Sequence, residues 1–437
     1  MILKTGLPVT DVRSKLIWTS LLFLCVLHVA LAQSASPAEI VDIESIRLEG
    51  VPIRVFDHRH DKQEMHHLPD ASLAAWKEAD GTVNLMIPHF ENYRMRGPNL
   101  EQLKSAPEKI FSSFQQAADL EETSYNYHHW LTAPYTLDGK TVYAVTHTEW
   151  YACLLSDDCT LRDYRLGSWT TTNNLLESQD GGKTWRVQGD RETHLVFNGA
   201  HLWTGSRALS QRIYRHAINH SGFMVPTRPI REGNYLYVIG LEMHRDFEHL
   251  IGNQAPMRKN GFAILRTKDI SQASGWEVWS GGTEYKTANL SNLKVFTPEE
   301  KGKPLTVALP QIIYDDNSKR FVLFFTVYGD RKGLYYSTSR SLEVPEWTEA
   351  AQVIGTDDLL LDPDFPDKAN PCNVGVIPRN YPSILDSDSR GRNFEFTDGD
   401  PWMFYVLNRV RCEGGRGNLK RDIYRVKMRF NYRTLSR

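Results

Sequence analysis

A unit of strand, tight turn and more aromatic strand recurs five times along the 437 residues, and this recurrence limits the fold more than any other feature. The first copy runs through 71–76, the turn Asp80-Gly81 and 83–87. The second is 131–135, Asp138-Gly139 and 142–146; the third is 224–227, Glu232-Gly233 and 235–239. The fourth is 308–314, Asp315-Asp316 and 321–325. The fifth is 381–385, a longer polar insert to Asp400, and 402–406. Short apolar runs bounded by Asp-Gly and Gly-rich turns read as hairpins. Pro134, Pro226, Pro310 and Pro382 fall near the start of the first strand in four copies, spaced by 92, 84 and 72 residues. A proline there removes one ladder donor, which a strand tolerates at its first residues. The spacing suits four strands with loops. Further strands are read at 175–178 with Trp185, 263–267 with 276–279, 334–338 with Trp347, and a last one at 423–430. The single helical candidate is 99–109. Five such sheets lead us to expect an all-β, five-bladed β-propeller, because radial closure removes exposed sheet edges. A pair of β-sandwiches is the alternative, and the unequal proline-strand-turn units argue against it.

Lys and Arg total 51 against 53 Asp and Glu, so the chain has no globally basic surface and nucleic acid is not an expected partner. Aromatic residues make up 11%, enough either to pack pleated sheets or to stack on flat ligands such as sugar rings. Lys4, Arg13 and Lys15 precede an apolar run over 16–32, which ends in the small-residue pattern Ala30-Leu31-Ala32. This reads as a secretory signal peptide over 1–32, followed by one propeller domain over 33–437. The alternative is an uncleaved anchor helix, for which the run is short. The expected product is secreted or periplasmic, off the membrane once the signal is removed, and monomeric. Four cysteines then remain, an even number that suits an oxidising compartment. Three pairings are open. Cys153–Cys159 and Cys372–Cys412 are favoured, since each pair brackets one loop-rich stretch. A four-cysteine zinc site lacks the C-x-x-C spacing. Residues 219–221 and 289–291 are glycosylation sequons, with meaning only in a eukaryotic secretory route.

Ser178-Gln179-Asp180-Gly181-Gly182-Lys183-Thr184-Trp185 resembles the Asp box, S-x-D-x-G-x-T-W, of sialidases and related propellers. Its aspartate can accept backbone donors across a tight turn, and its glycines permit positive φ. It is a structural hairpin motif, set apart from chemistry. The blade pattern itself, Ala133-Pro134 followed by Asp138-Gly139 and Val142-Tyr143, resembles five-bladed glycoside hydrolases of the arabinanase, xylosidase and invertase kind over roughly 40–430. That resemblance implies an aspartate base on the first inner strand and a glutamate acid on a later blade. Asp70-Ala71-Ser72-Leu73 is similar to the first-blade opening, which assigns the base to Asp70. The residues before the prolines, Ala133, Val225, Leu309 and Tyr381, are not acidic, so the acid must come from elsewhere.

Glu149 and Glu242 are the candidates for that acid. His147 and Glu149 stand at alternate strand positions, hence on one face, and form an acid/base pair or a strand-end hydrogen bond. A hydrolase needs two carboxyl groups about 5–10 Å apart with one protonated. Inner-strand starts point at a propeller's central pocket, which nominates His128, His129, Trp130, His220 and Tyr381 for substrate binding. Arg228 is a candidate for bidentate capture of a uronate or sialate carboxylate. The same histidines, with Tyr381 and Arg228, suit a polysaccharide lyase. A non-catalytic glycan-binding propeller would use Trp130, Trp150 and Tyr151 as stacking platforms. His58-x-His60 and His66-His67 lack a clear ligand set, and no metal or cofactor is expected.

Overall fold

Residues 235–239 and 321–325 lack a charged side chain, so both faces of these strands need covering. The computed structural model covers them. Tyr237 and Ile239 pack with Leu323 and Phe325 of the following sheet, while Leu236 and Val238 turn to Ala133, Val145 and Leu175 of the preceding one. One strand with a side-chain period of two therefore serves two junctions. Residues 321–325 repeat the device: Phe321, Leu323 and Phe325 face one way, Val322 and Phe324 the other.

The structure describes residues 41–58, 69–89, 91–104, 106–112, 128–151, 169–188, 193–198, 220–245, 257–355, 381–408 and 421–435. They divide into a unit over 43–432 and a small unit of 1–42 with 433–437. In the larger unit, blade 1 is Ala74–Lys77, Val83–Ile87, Glu91–Gly97 and Glu108–Ser112. Blade 2 is His129–Thr136, Val142–Tyr151 and Trp169–Ser178, with the short strands Arg186–Val187 and Leu195–Asn198 on its third strand. Blade 3 is Ser221–Met224, Tyr235–Arg245, Met257–Thr267, Glu277–Gly281 and Glu284–Thr287. Blade 4 is Thr306–Asp315, Arg320–Tyr328, Gly333–Ser339 and Ala351–Gly355. Blade 5 takes Ser383–Leu385, Trp402–Asn408 and Arg421–Thr434 from late in the sequence, and its fourth strand, Val41–Phe56, from before blade 1.

Neighbouring blades touch in order, and the inner strand of blade 5 meets that of blade 1. Among the described residues five apolar clusters occur, one at each of the five junctions. This closed series makes the chain a five-bladed β-propeller. Isolated hairpins are marginal in water, whereas each fully buried large side chain contributes roughly 1.5–3 kcal/mol. The junctions hold the ring together.

The expected hairpins are present with four adjustments to the sequence reading. In the third copy the strand before Glu232-Gly233 is Ile230–Glu232, and of 224–227 only Met224 is in a strand. Residues 99–109 are not helical: Asn99 Oδ1 accepts the amides of Glu101 and Gln102 in a tight turn, and Lys109 lies in the strand Glu108–Ser112. Pro98 and Pro107 flank that turn and remove the donors a helix would need. Pro134 is not the counterpart of the other three prolines. Pro226, Pro310 and Pro382 each follow a left-handed residue, Val225 at φ 43°, Leu309 at 50° and Tyr381 at 51°. Pro310 sits in a bulge, where pairing passes from Ala308–Thr326 to Gln311–Phe324 and no ladder donor is required. Blade 2 bulges between Trp130 and Ala133, and Pro134 falls beyond that point, opposite Ala144. Trp347 lies outside any strand. The signal segment and all five cysteines fall outside the described residues.

The Asp-box turn is structural, as its chemistry suggests. Asp180 accepts from the amides of Lys183 (3.1 Å) and Thr184 (2.9 Å), from Thr184 Oγ1 (2.7 Å) and from Ser178 Oγ (2.7 Å). Burial pushes its carboxyl up, but these donors outweigh it and hold the group at about 2. Trp185 meets Trp76 of blade 1 edge-on at 6.3 Å. A looser copy closes the third strand of blade 3, where Asp269 Oδ1 accepts the amide of Ser271 and the Trp276 indole donates to Gln272 O. Asp180→Ala is expected to lower stability by about 1–3 kcal/mol through its lost turn bonds, read by urea denaturation, and to spare any activity of the folded protein. Lost turnover at unchanged stability would contradict this.

Candidate functional site

Side chains from blades 1, 2 and 5, with one main-chain amide of blade 3, form one contact chain. Asp70 lies in the bend that leads into the inner strand of blade 1, and its amide donates to Pro88 O at 2.9 Å. The left-handed turn at Tyr381 delivers that phenol to Asp70, donating to Oδ1 at 2.8 Å. Arg421, the first residue of the third strand of blade 5, donates to the same oxygen at 2.9 Å and to Pro69 O at 2.5 Å. Arg421 is nearly buried, while the Asp70 side chain keeps 33% of its surface exposed.

Burial pushes the Asp70 carboxyl up, but the Arg421 charge, His89 and the two hydrogen bonds outweigh it and hold the group below its ordinary value. Burial and the Asp70 charge hold the Tyr381 phenol well above its own, which makes Tyr381 a donor and not a base. A carboxyl depressed in the fold stabilises above its unfolded value, near 3.9, and that contribution is lost as pH falls through the folded value. Asp70→Asn should therefore be less stable than wild type near neutrality, with the gap closing in acid below the unfolded value. Urea denaturation at both pH values checks this, and a gap that widened in acid would contradict it.

A nest of imidazoles adjoins this group. Trp130 is buried, with the rings of His89, His128 and His147 edge-on at 6.4, 6.0 and 5.2 Å. Burial, then neighbouring His129 and His89, pulls His128 down to about 2. Burial, then His194, pulls His129 to about 3. Both are neutral across ordinary pH. His129 turns into the sheet, where Nδ1 meets Thr148 Oγ1 at 2.8 Å. His147 Nε2 meets Glu149 Oε1 at 3.0 Å, and the Val225 amide of blade 3 donates to His147 Nδ1 at 3.2 Å. Val142 and Ala144 pack at the junction with blade 1 and Val145 at that with blade 3. By alternation His147 and Glu149 face blade 3. The same reasoning from Val238 turns the fully buried Glu242 toward blade 2, so both glutamates line one junction.

The sequence candidates fall in different surroundings. Asp70, Tyr381, His128, Trp130, His147 and Glu149 belong to the contact chain, with Trp130 enclosed rather than presented as a platform. Glu242 lies deeper, paired across its sheet with Phe223 and Gly261. His220 is half-buried just before the inner strand of blade 3. Arg228 is engaged by main chain. It is buried, and it donates to Ile384 O at 2.6 Å and Ile312 O at 2.7 Å. Burial pulls it to about 10 and it remains a cation, bracing three inner strands. The side chains of Trp150 and Tyr151 lie outside the described residues. Arg421 carries no sequence signal of its role, since it opens a strand that also holds Arg425, Lys427, Arg429 and Arg433.

Asp57, His58 and Asp422 bring one potential ligand atom each within 4.8 Å. Arg54 already pairs with Asp57 at 3.1 Å and His58 Nδ1 with Asp422 at 2.6 Å, which accounts for the cluster as an ion-pair network. His60, His66 and His67 lie outside the described residues.

No sequence family and no curated protein matches the chain. Among solved structures it is similar to a GH43_1 enzyme from Xanthomonas citri complexed with xylose, at 12% identity over 86% of this chain and 89% of that one, with a TM-score of 0.46. A protein of unknown function from Dyadobacter fermentans shows 11% identity over 90% and 100%, with a TM-score of 0.43. The catalytic domain of a GH62 α-L-arabinofuranosidase from Coprinopsis cinerea shows 9% identity over 90% and 98%, with a TM-score of 0.44. Likeness this low carries no chemistry across.

Proposed function

We propose that the chain is an exported glycoside hydrolase acting on an uncharged oligo- or polysaccharide, with Asp70 as general base and Glu149 as general acid. The observation that carries this reading is Asp70: a part-exposed carboxylate clamped by Tyr381 and Arg421, which His89 and Trp130 link to His147 and its partner Glu149. In the proposed step a water gives its proton to Asp70 as its oxygen bonds to the anomeric carbon. The glycosidic C–O bond breaks, and the leaving oxygen takes the proton of Glu149. A lyase needs a cation to neutralise a uronate carboxylate. Here Arg228 is engaged by main-chain carbonyls and Arg421 by Asp70, while His128 and His129 are neutral.

The test is a panel of para-nitrophenyl glycosides, neutral and uronate, with neutral and acidic polysaccharides alongside. Release of nitrophenol or reducing ends from a neutral member supports the reading. An unsaturated, ultraviolet-absorbing product from a uronate polymer would replace it with the lyase. Binding with no turnover of any member would replace it with the glycan-binding propeller.

A further inference from the structure

Val225 is β-branched yet sits at φ 43°. A branched side chain in the left-handed region is strained, and such strain persists where the surroundings impose it, often beside a functional group. Its main-chain N–H points at His147 Nδ1, 3.2 Å away.

A backbone N–H can only donate, so Nδ1 is the accepting nitrogen. A neutral imidazole with an accepting Nδ1 carries its proton on Nε2. That nitrogen is the one 3.0 Å from Glu149 Oε1. The direction of each bond follows: Val225 donates to His147, and His147 donates to Glu149. A proton on Oε1 would meet the Nε2–H head-on, so a protonated Glu149 carries its proton on Oε2.

We infer that the strained Val225 amide, acting through the tautomer it imposes on His147, anchors Glu149 by its Oε1 and so orients the carboxyl for its part in the chemistry. His147 is then a positioning residue and never transfers the proton itself. This rests on the reading of Glu149 as the acid, but the tautomer does not.

Two measurements separate the claims. In protein labelled with ¹⁵N-histidine, the His147 ring, assigned by its loss in H147Q, should show the neutral Nε2–H pattern in long-range ¹H–¹⁵N spectra. An Nδ1–H pattern overturns the inference, whatever the enzyme acts on. The second uses the para-nitrophenyl glycoside that wild type turns over. H147L should lower kcat about tenfold or more with KM within about twofold. H147Q, whose amide both accepts and donates, should recover most of that loss. H147L with wild-type kcat, or H147Q no better than H147L in folded protein, overturns the positioning role. If H147L does not fold, the H147Q kinetics and the spectrum still decide. Absence of turnover by wild type on every glycoside removes the hydrolase reading alone and leaves the tautomer to the spectrum.

Discussion

Asp70→Asn is expected to lower kcat at least about a hundredfold on any glycoside the wild type cleaves, a loss in the range of removing a general base. The amide is isosteric and still accepts the Tyr381 hydroxyl, so the turn at Tyr381 survives. It cannot take a proton from water. Arg421 then keeps its bond to Pro69 O but loses its carboxylate partner, so some stability falls as well. Circular dichroism and an unchanged denaturation cooperativity separate that effect from the kinetic one. Glu149→Gln should cost a similar factor, with a smaller loss on glycosides whose leaving group needs no protonation. Asp70→Asn at wild-type kcat would end the two-carboxylate mechanism. Glu149→Gln at wild-type kcat would transfer the acid role to Glu242.

The second large effect is on the ring itself. Gly222→Ala is expected to destabilise by about 2–6 kcal/mol, combining backbone strain with overpacking. Gly222 has φ +115°, and a Cβ there would lie 2.4 Å from Thr171 O and 2.9 Å from Thr171 N. Those atoms are main chain and cannot rotate away. They belong to the parallel bridge joining the third strand of blade 2 to the inner strand of blade 3. Thr171 Oγ1 also donates to Phe223 O at 3.2 Å across the same seam. Urea denaturation reads the loss, and a midpoint within error of wild type would show that the blades are not held so closely there.

The hairpins were legible in the sequence because each strand is short, bounded by Asp-Gly turns and aromatic at alternate or successive positions. The helix expected over 99–109 does not form because propensity is a weak prior and Pro107 within it removes a helical donor. Pro134 misled because proline spacing follows the chain, whereas bulges shift the pairing by a residue or two without marking the sequence. Asp70 was legible from its Pro-Asp-x-Ser-Leu setting, and the His147–Glu149 pair as alternate residues on one strand face. Arg421 and the Val225 amide were not. The first is far from Asp70 in sequence, and the second is a backbone group whose role depends on a dihedral angle. Arg228 reads as a ligand-binding arginine in the sequence, since residue type does not reveal whether a guanidinium meets carbonyls or solvent.

The fourth strand of blade 5 comes from before blade 1, and this has a kinetic consequence. Contacts between residues more than three hundred positions apart, such as Tyr381 to Asp70 and Arg421 to Asp70, carry a high loop-closure cost and form late. The main strands of blades 1 to 4 can each assemble from contiguous chain, but 396–397 joins blade 4 from the blade 5 segment, and the circle joins only when 41–56 meets 421–434. Asp70 receives its arginine in that same event. Recovery of turnover during refolding would then report the slowest, ring-joining phase, lagging behind the return of β-sheet signal.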